Sequence, residues 1–311
     1  MTSQPSNRPS AGRRTNPGPP RLPLVGSLPW LDMKRGRYDF ALSPLITAHK
    51  IALIQVGVLR YIHVINDFDT AKELFGLEVF SGKRVEEYIA PHYFLSGSIP
   101  EGIAMTTGDT WSVQRRFGLR SLRDLGFGKK SLEATMAVEI EGLIERYHAA
   151  AAQGGDVKIG TDFNIPVINI LWQLVAGNRI QLADEKETKL LDMVNSMFTK
   201  GVASFWLTLP YPFLKVFPNF TGYTRVSSNM EALRDYMLET IEQHIVSFDK
   251  DYPRDFIDAY LVAMNEDQEG KYTKAHLNAS LMDFFIAGSE TTSTTLKWCL
   301  LQLTNHQGWT L

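Results

Sequence analysis

Ala287-Gly288-Ser289-Glu290-Thr291-Thr292 puts two small residues, an acid and two threonine hydroxyls within six positions. Small side chains at 287 and 288 leave room for a flat group to lie against a helix. A threonine hydroxyl in a helix can bond back to the carbonyl one turn earlier, competing with the backbone ladder. Local departures from the regular helix are frequent at functional sites. Asp283, Ala287 and Thr291 are four apart and share one helical face, so a buried acid and a hydroxyl there could relay protons. The same spacing also suits small residues that merely let a second helix approach, and the residues alone leave both readings open. Trp111 and Arg115, again four apart, put an indole N–H and a guanidinium on one face, where together they could bind a carboxylate. The bland alternative is a surface helix with a partly buried tryptophan.

These residues need helices to position them. From Thr273, which suits an N-cap, apolar residues Leu277, Leu281, Phe284 and Phe285 recur at three- and four-residue intervals. A continuous helix from there to Asn305 would be roughly 50 Å long. Its centre, Leu281 to Gly288, is apolar on nearly every face except at Asp283, as expected of a helix through the middle of a core. Further helices are predicted over 109–122, 129–152, 164–178, 185–200, 221–249 and 253–264, with a short one over Asp69–Phe75. Ile51–Val56 and Tyr61–Asn66 are rich in branched residues and read as a hairpin. Gly82–Gly108 lacks a period and reads mostly as a long loop. Residues 1–23 are rich in proline, serine and glycine and read as a disordered or extended leader. The fold class is mainly α, with a small N-terminal β-sheet and a long central helix.

Composition narrows the function classes. A net charge of -2 from 32 basic and 34 acidic residues, without a basic stripe, argues against nucleic-acid binding. The one cysteine, Cys299, excludes an internal disulfide and any cysteine-based zinc or iron–sulfur site. No stretch offers the ~18 apolar residues of a membrane-spanning helix.

Taken together and in order, the segments resemble a known family. Trp111-Ser112-Val113-Gln114-Arg115-Arg116-Phe117, continued through Leu122 to Glu133, resembles the third helix of microsomal cytochromes P450 and the turn after it. Phe285 to Thr292 resembles that family's central oxygen-binding helix. Pro17 to Gly26 resembles its proline hinge, and Phe80 to Arg84 and Arg254 to Leu261 match as well. The likeness is strongest to the animal family-2 clan, in particular its invertebrate members. It implies an incomplete cytochrome P450 fold over residues 24–306, with 307–311 a non-family tail. It further implies that Trp111 and Arg115 hold a heme propionate and that Ala287 and Gly288 lie against the porphyrin. Thr291 with Glu290 would supply protons during dioxygen activation. Ile103, Ala104, Met105, Phe198 and Asp283 would line the substrate cavity. The implied reaction is monooxygenation of a lipophilic small molecule, with electrons from an NADPH-dependent flavoprotein reductase. The apolar, proline-broken Phe205–Phe217 would make peripheral membrane contact. The implied location is the cytosolic face of the endoplasmic reticulum membrane, or the cytosol for a chain with no apolar anchor ahead of its proline run.

The family's iron-ligating cysteine loop and its Glu-x-x-Arg pair have no counterpart among these 311 residues. Glu231 and Arg234 have the latter spacing but precede the central helix. Cys299 lies eight residues beyond Thr291, about 12 Å along a helix axis, and is expected to be an ordinary buried thiol rather than an axial ligand. No metal ligand is therefore assigned, and the chain is expected to be inactive as it stands. The alternative is a non-enzymatic helical isoform or fragment that binds apolar ligands or a partner.

Overall fold

The computed structural model describes residues 17–23, 26–30, 44–56, 60–80, 90–154, 159, 162–180, 188–194 and 215–306. Two compact units contain them, one built from residues 1–80 with 201–216 and the other from 81–200 with 217–311.

In the first unit a one-turn helix, α1 (Pro44–Thr47), precedes strands β1 (Ile51–Val56) and β2 (Arg60–Ile65). The strands pair antiparallel from Ile51↔Ile65 to Val56↔Arg60, so the expected hairpin forms with its second strand one residue earlier. Period-two alternation buries Ala52 and Ile54 on one face, where Ile46, Ile62 and Val64 cover them. The Asn66 side-chain amide donates to the carbonyls of Ile46 and His49 and so ties α1 to the end of the hairpin. Helix α2 (Phe68–Phe75) starts at Asp67, whose carboxylate accepts from the Thr70 amide. The proline run lies along β1: Leu53 N–H donates to the Pro17 carbonyl and Ser27 N–H to that of Gln55. A Cβ at Gly18 would stand 2.2 Å from the Leu53 oxygen, so only glycine permits this approach.

The second unit is helical: α3 (Ala90–Tyr93), α4 (Gly108–Asp124), α5 (Ser131–Ala152), α6 (Asn164–Ala176), α7 (188–194), α8 (Pro218–Thr221), α9 (Tyr223–Ser247), α10 (Phe256–Glu266) and α11 (Lys274–Asn305). Most bounds fall within three residues of those expected. Of the helix expected over 185–200, only 188–194 lies among the described residues, and α3 adds one turn inside the stretch read as loop. The long helix starts where the sequence predicts, with the Thr273 hydroxyl accepting from the His276 amide. Its N-terminal half is buried on every side through Leu277, Leu281, Met282 and Phe285. Trp172 of α6 meets Phe285 edge-on at 5.3 Å and stacks on Tyr236 of α9 at 6.3 Å, which joins three helices. Phe117 of α4 packs edge-on against Phe256, Tyr260 and Tyr272.

Past Ser293, α11 leaves this core, and Leu296, Trp298, Leu301 and Leu303 are exposed. Cys299 is exposed with them, contrary to the expected buried thiol, because no described element covers that face of the helix. None of the described helices is long and apolar enough to cross a membrane.

Candidate active site

The helical period of α11 gives the 287–291 patch two working faces. Ala287 and Thr291 lie on an exposed one, immediately after a segment in which nearly every side chain is buried. Thr291 Oγ1 donates to the Ala287 carbonyl at 2.7 Å, the back-bond expected from the sequence. The helix runs unbroken from Lys274 to Asn305, so this bond opens no bulge. Gly288 serves the other face. A Cβ there would stand 2.4 Å from Leu171 Cδ2 of α6, so the missing side chain lets α11 press against that helix. Gly288 thus serves the close approach of a second helix, while Ala287 and Thr291 leave a different face of α11 open. Glu290 points its carboxylate away from Thr291. Its oxygens accept from the Asn164 amide at the start of α6 and from the Thr294 hydroxyl, both at 2.9 Å, while Lys297 Nζ donates to Asn164 Oδ1.

On α4 the Arg115 guanidinium stacks over the Trp111 ring, 5.4 Å from its centroid. Among the described residues Arg115 has no ion-pair partner, so its donors are free for an anion. The stripe from Trp111 and Arg115 continues to Gly118. Gly118 sits where its absent Cβ would be 3.8 Å from Phe284 Cζ of α11 and 3.0 Å from Ile103 Cδ1. Phe284, in turn, lies on the α11 stripe that continues to Ala287 and Thr291. The two chemically suggestive stripes thus share a contact at Gly118 and Phe284, and each runs from there into an exposed stretch.

The loop ahead of α4 is held by two buried carboxylates. Glu101 accepts from the amides of Leu95 and Ser96. Asp283 accepts from the amides of Ile103 at 2.7 Å and Ala104 at 2.8 Å through one oxygen, and from the Tyr93 hydroxyl at 2.5 Å through the other. Burial, reinforced by the Asp283 charge, pushes the Tyr93 hydroxyl well above its ordinary pKa, so it stays a donor. Gly102, at φ +78°, packs where a Cβ would lie 2.7 Å from Asp283 Oδ2, and its amide donates to His276 Nδ1. Burial keeps His276 below its usual pKa and so favours the neutral ring that accepts this bond. Asp283 thus pins Ile103 and Ala104 to α11. Those two residues and Met105 are half-buried, and Met105 packs on the main core. Phe198 and residues 205–214 lie outside the described residues.

Sequence reasoning missed Tyr93, Gly118 and Glu101. Gly118, a glycine inside a helix three residues after Arg115, carried a readable signal. Tyr93 and Glu101 did not, because their partners are set by tertiary contact.

Comparison with known proteins decides the family. The model of the family described as Cytochrome P450 matches residues 17–310. The chain belongs to the cytochrome P450 family. Cytochrome P450 2B2 of Rattus norvegicus is 31% identical over 302 residues, covering 93% of this chain and 58% of that protein. Cytochrome P450 2H1 of Gallus gallus is also 31% identical, over 306 residues, with 93% and 58% covered. Farnesoate epoxidase of Bombyx mori is 29% identical over 298 residues, covering 94% and 59%. The chain therefore spans somewhat under two thirds of the curated relatives it matches.

The cytochrome P450 family implies heme, and the residues present fit one side of it. Arg115 offers unpaired donors held by Trp111, and the Ala287–Thr291 face is open and free of bulky side chains. They do not supply an axial thiolate, because Cys299 lies two turns further along α11 on an exposed stretch.

Proposed function

We propose that this chain forms the dioxygen-side and propionate-side wall of a heme–thiolate monooxygenase that oxidises a lipophilic small molecule. One observation carries the reading. The P450-matching stripe on α11 turns from fully buried to open at Ala287 and Thr291, and it starts at the contact with the stripe that carries Arg115. Bound heme would supply the iron at which dioxygen is reduced and one oxygen atom is passed to substrate. The work of this chain's own residues follows from their contacts. Arg115, stiffened by the Trp111 ring, pairs with a propionate. Ala287 leaves space for the macrocycle, and Gly288 keeps α11 close to α6 behind it. Thr291 holds a proton at Oγ1, parked on the Ala287 carbonyl and able to turn outward to a reacting group. Glu290 acts at one remove, fixing this part of α11 to Asn164. Asp283 shapes the substrate cavity indirectly, by fixing Ile103 and Ala104. Family membership supports a flavoprotein reductase as the electron donor and the endoplasmic reticulum membrane as the site of action. These 311 residues offer no thiolate placed for the iron, and the expected outcome for them alone is no turnover.

The exposed Leu296, Trp298, Leu301 and Leu303 favour a second reading, in which the chain serves without catalysis as a helical unit that binds apolar ligands or a partner. Hemin titration with a reduced carbon-monoxide difference spectrum tests both. The expected result is heme uptake without the Soret position of thiolate-ligated iron. Failure to take up heme would favour the second reading, and a thiolate signal would show that Cys299 reaches the iron after all.

A further inference from the structure

A cavity of about 410 Å³ lies between α5 and α6, on a part of the second unit that the monooxygenase reading does not use. Its size falls in the range of small-molecule sites. Its walls are mainly apolar, from Val138, Ile165, Pro166 and Ile180, with Glu139, Arg146 and Arg179 as the charged lining residues. Glu139, 95% buried, is already matched there. Arg179 Nη2 approaches its Oε1 at 2.7 Å and the Asn169 amide donates to Oε2 at 3.4 Å. The Arg179 contact lies off the hydrogen-bonding direction, which leaves Oε1 with an ion pair but no directed bond. Arg146 lines the same cavity and has no ion-pair partner among the described residues. Two guanidinia against one carboxylate leave the cavity with a surplus positive charge beside an apolar wall.

Gly142 supplies a second, independent observation. It stands in the interior of the 22-residue α5, one turn from both Val138 and Arg146, where glycine is the worst helix former after proline. No packing requires it, because a Cβ added there would meet nothing within 4 Å. It lines the cavity together with Val138 and Arg146, so a side chain there would project into space that the cavity leaves empty.

We propose that this cavity binds a monocarboxylate with an unbranched alkyl tail, the carboxylate on Arg146 and the tail along Ile165 and Ile180. The site is separate from the heme-facing stripe and does not depend on the monooxygenase reading. Isothermal titration of the whole chain with octanoate, and with 1-octanol as the uncharged match, tests it. Octanoate is expected to bind at one site per chain. Arg146→Gln should weaken octanoate about tenfold and leave octanol unchanged. Gly142→Leu should weaken both at least tenfold without lowering the melting temperature, because it fills that space while improving helix propensity. Equal octanoate affinity in wild type and both variants would mean adsorption on exposed apolar surface elsewhere and would overturn the site. Absence of octanoate binding, or an equal loss of octanoate and octanol in Arg146→Gln, would overturn it too. Should Gly142→Leu fold poorly, the Arg146→Gln arm decides alone.

Discussion

Asp283→Ala removes the acceptor of three donors at once: the amides of Ile103 and Ala104 and the Tyr93 hydroxyl. Asp283 is 7% exposed and Tyr93 2%, so water cannot replace the lost acceptor without opening the structure. Each stranded buried donor costs about 1–3 kcal/mol. Relaxation of the loop and access of water to the half-buried Ile103 and Ala104 recover part of that sum, so the expected loss is about 2–4 kcal/mol. Asp283→Asn keeps one carbonyl oxygen, and its amide group cannot accept, so it should lose less than the alanine variant. Tyr93→Phe combined with the alanine variant should then cost little more, because Tyr93 would already have lost its partner. Urea denaturation followed by circular dichroism gives the free energies, and hydrogen exchange at Ile103 and Ala104 reports the loop itself. Those two amides should lose protection in Asp283→Ala before the rest of the unit does. A loss under about 1 kcal/mol with unchanged exchange at 103 and 104 would refute the anchoring role and return Asp283 to a free cavity wall.

Three other outcomes follow from single contacts. Gly288→Ala sets a methyl 2.4 Å from Leu171 Cδ2, the movable end of that side chain. The clash is partly relieved by a rotamer change and by helix propensity, so the net loss should be about 1 kcal/mol or less. Adding Leu171→Ala should recover much of that loss by denaturation, and no recovery would place the clash elsewhere. His244 points one ring nitrogen at the Thr240 carbonyl and the other at Asp255, both acceptors, so the ring must carry two protons to satisfy them. Burial would lower its pKa. The bond from Asp255, the Thr240 carbonyl and the charges of Asp255 and Asp258 outweigh that and raise it. The Gly177 turn of α6 also abuts Asp255, and Arg254 is engaged by Asp258. A raised folded pKa gives stability that is complete below the ordinary histidine pKa of about 6.5 and is lost as pH rises through the folded value. Melting temperature should therefore fall above neutrality in wild type and flatten there in His244→Gln, and an equal slope in both would refute the linkage. Arg115→Gln should weaken hemin binding about tenfold with little change in melting temperature, because the side chain is exposed and rests on the Trp111 ring. An unchanged hemin affinity would remove Arg115 from the site.

The sequence by itself determined whatever depends on neighbours along the chain. Hydrophobic period and the Thr273 cap placed α11 correctly, the four-residue interval stacked Arg115 on Trp111, and the Thr291 back-bond to Ala287 followed from helix geometry alone. Ordered motifs then gave the family. Tertiary structure decided which direction each functional group turns. Asp283 shares a periodic stripe with Ala287 and Thr291, yet its carboxylate is taken by amides some 180 positions away, which no local pattern encodes. Glu290, adjacent to Thr291 in sequence, turns to α6 because successive helical residues point about 100° apart. Cys299 was expected to be buried and is exposed, because periodicity says that a face is apolar or small but not whether another helix covers it; the two readings left open for Gly288 are undecided in sequence for the same reason. Burial depends on what packs against a helix, and that is fixed only when distant segments meet.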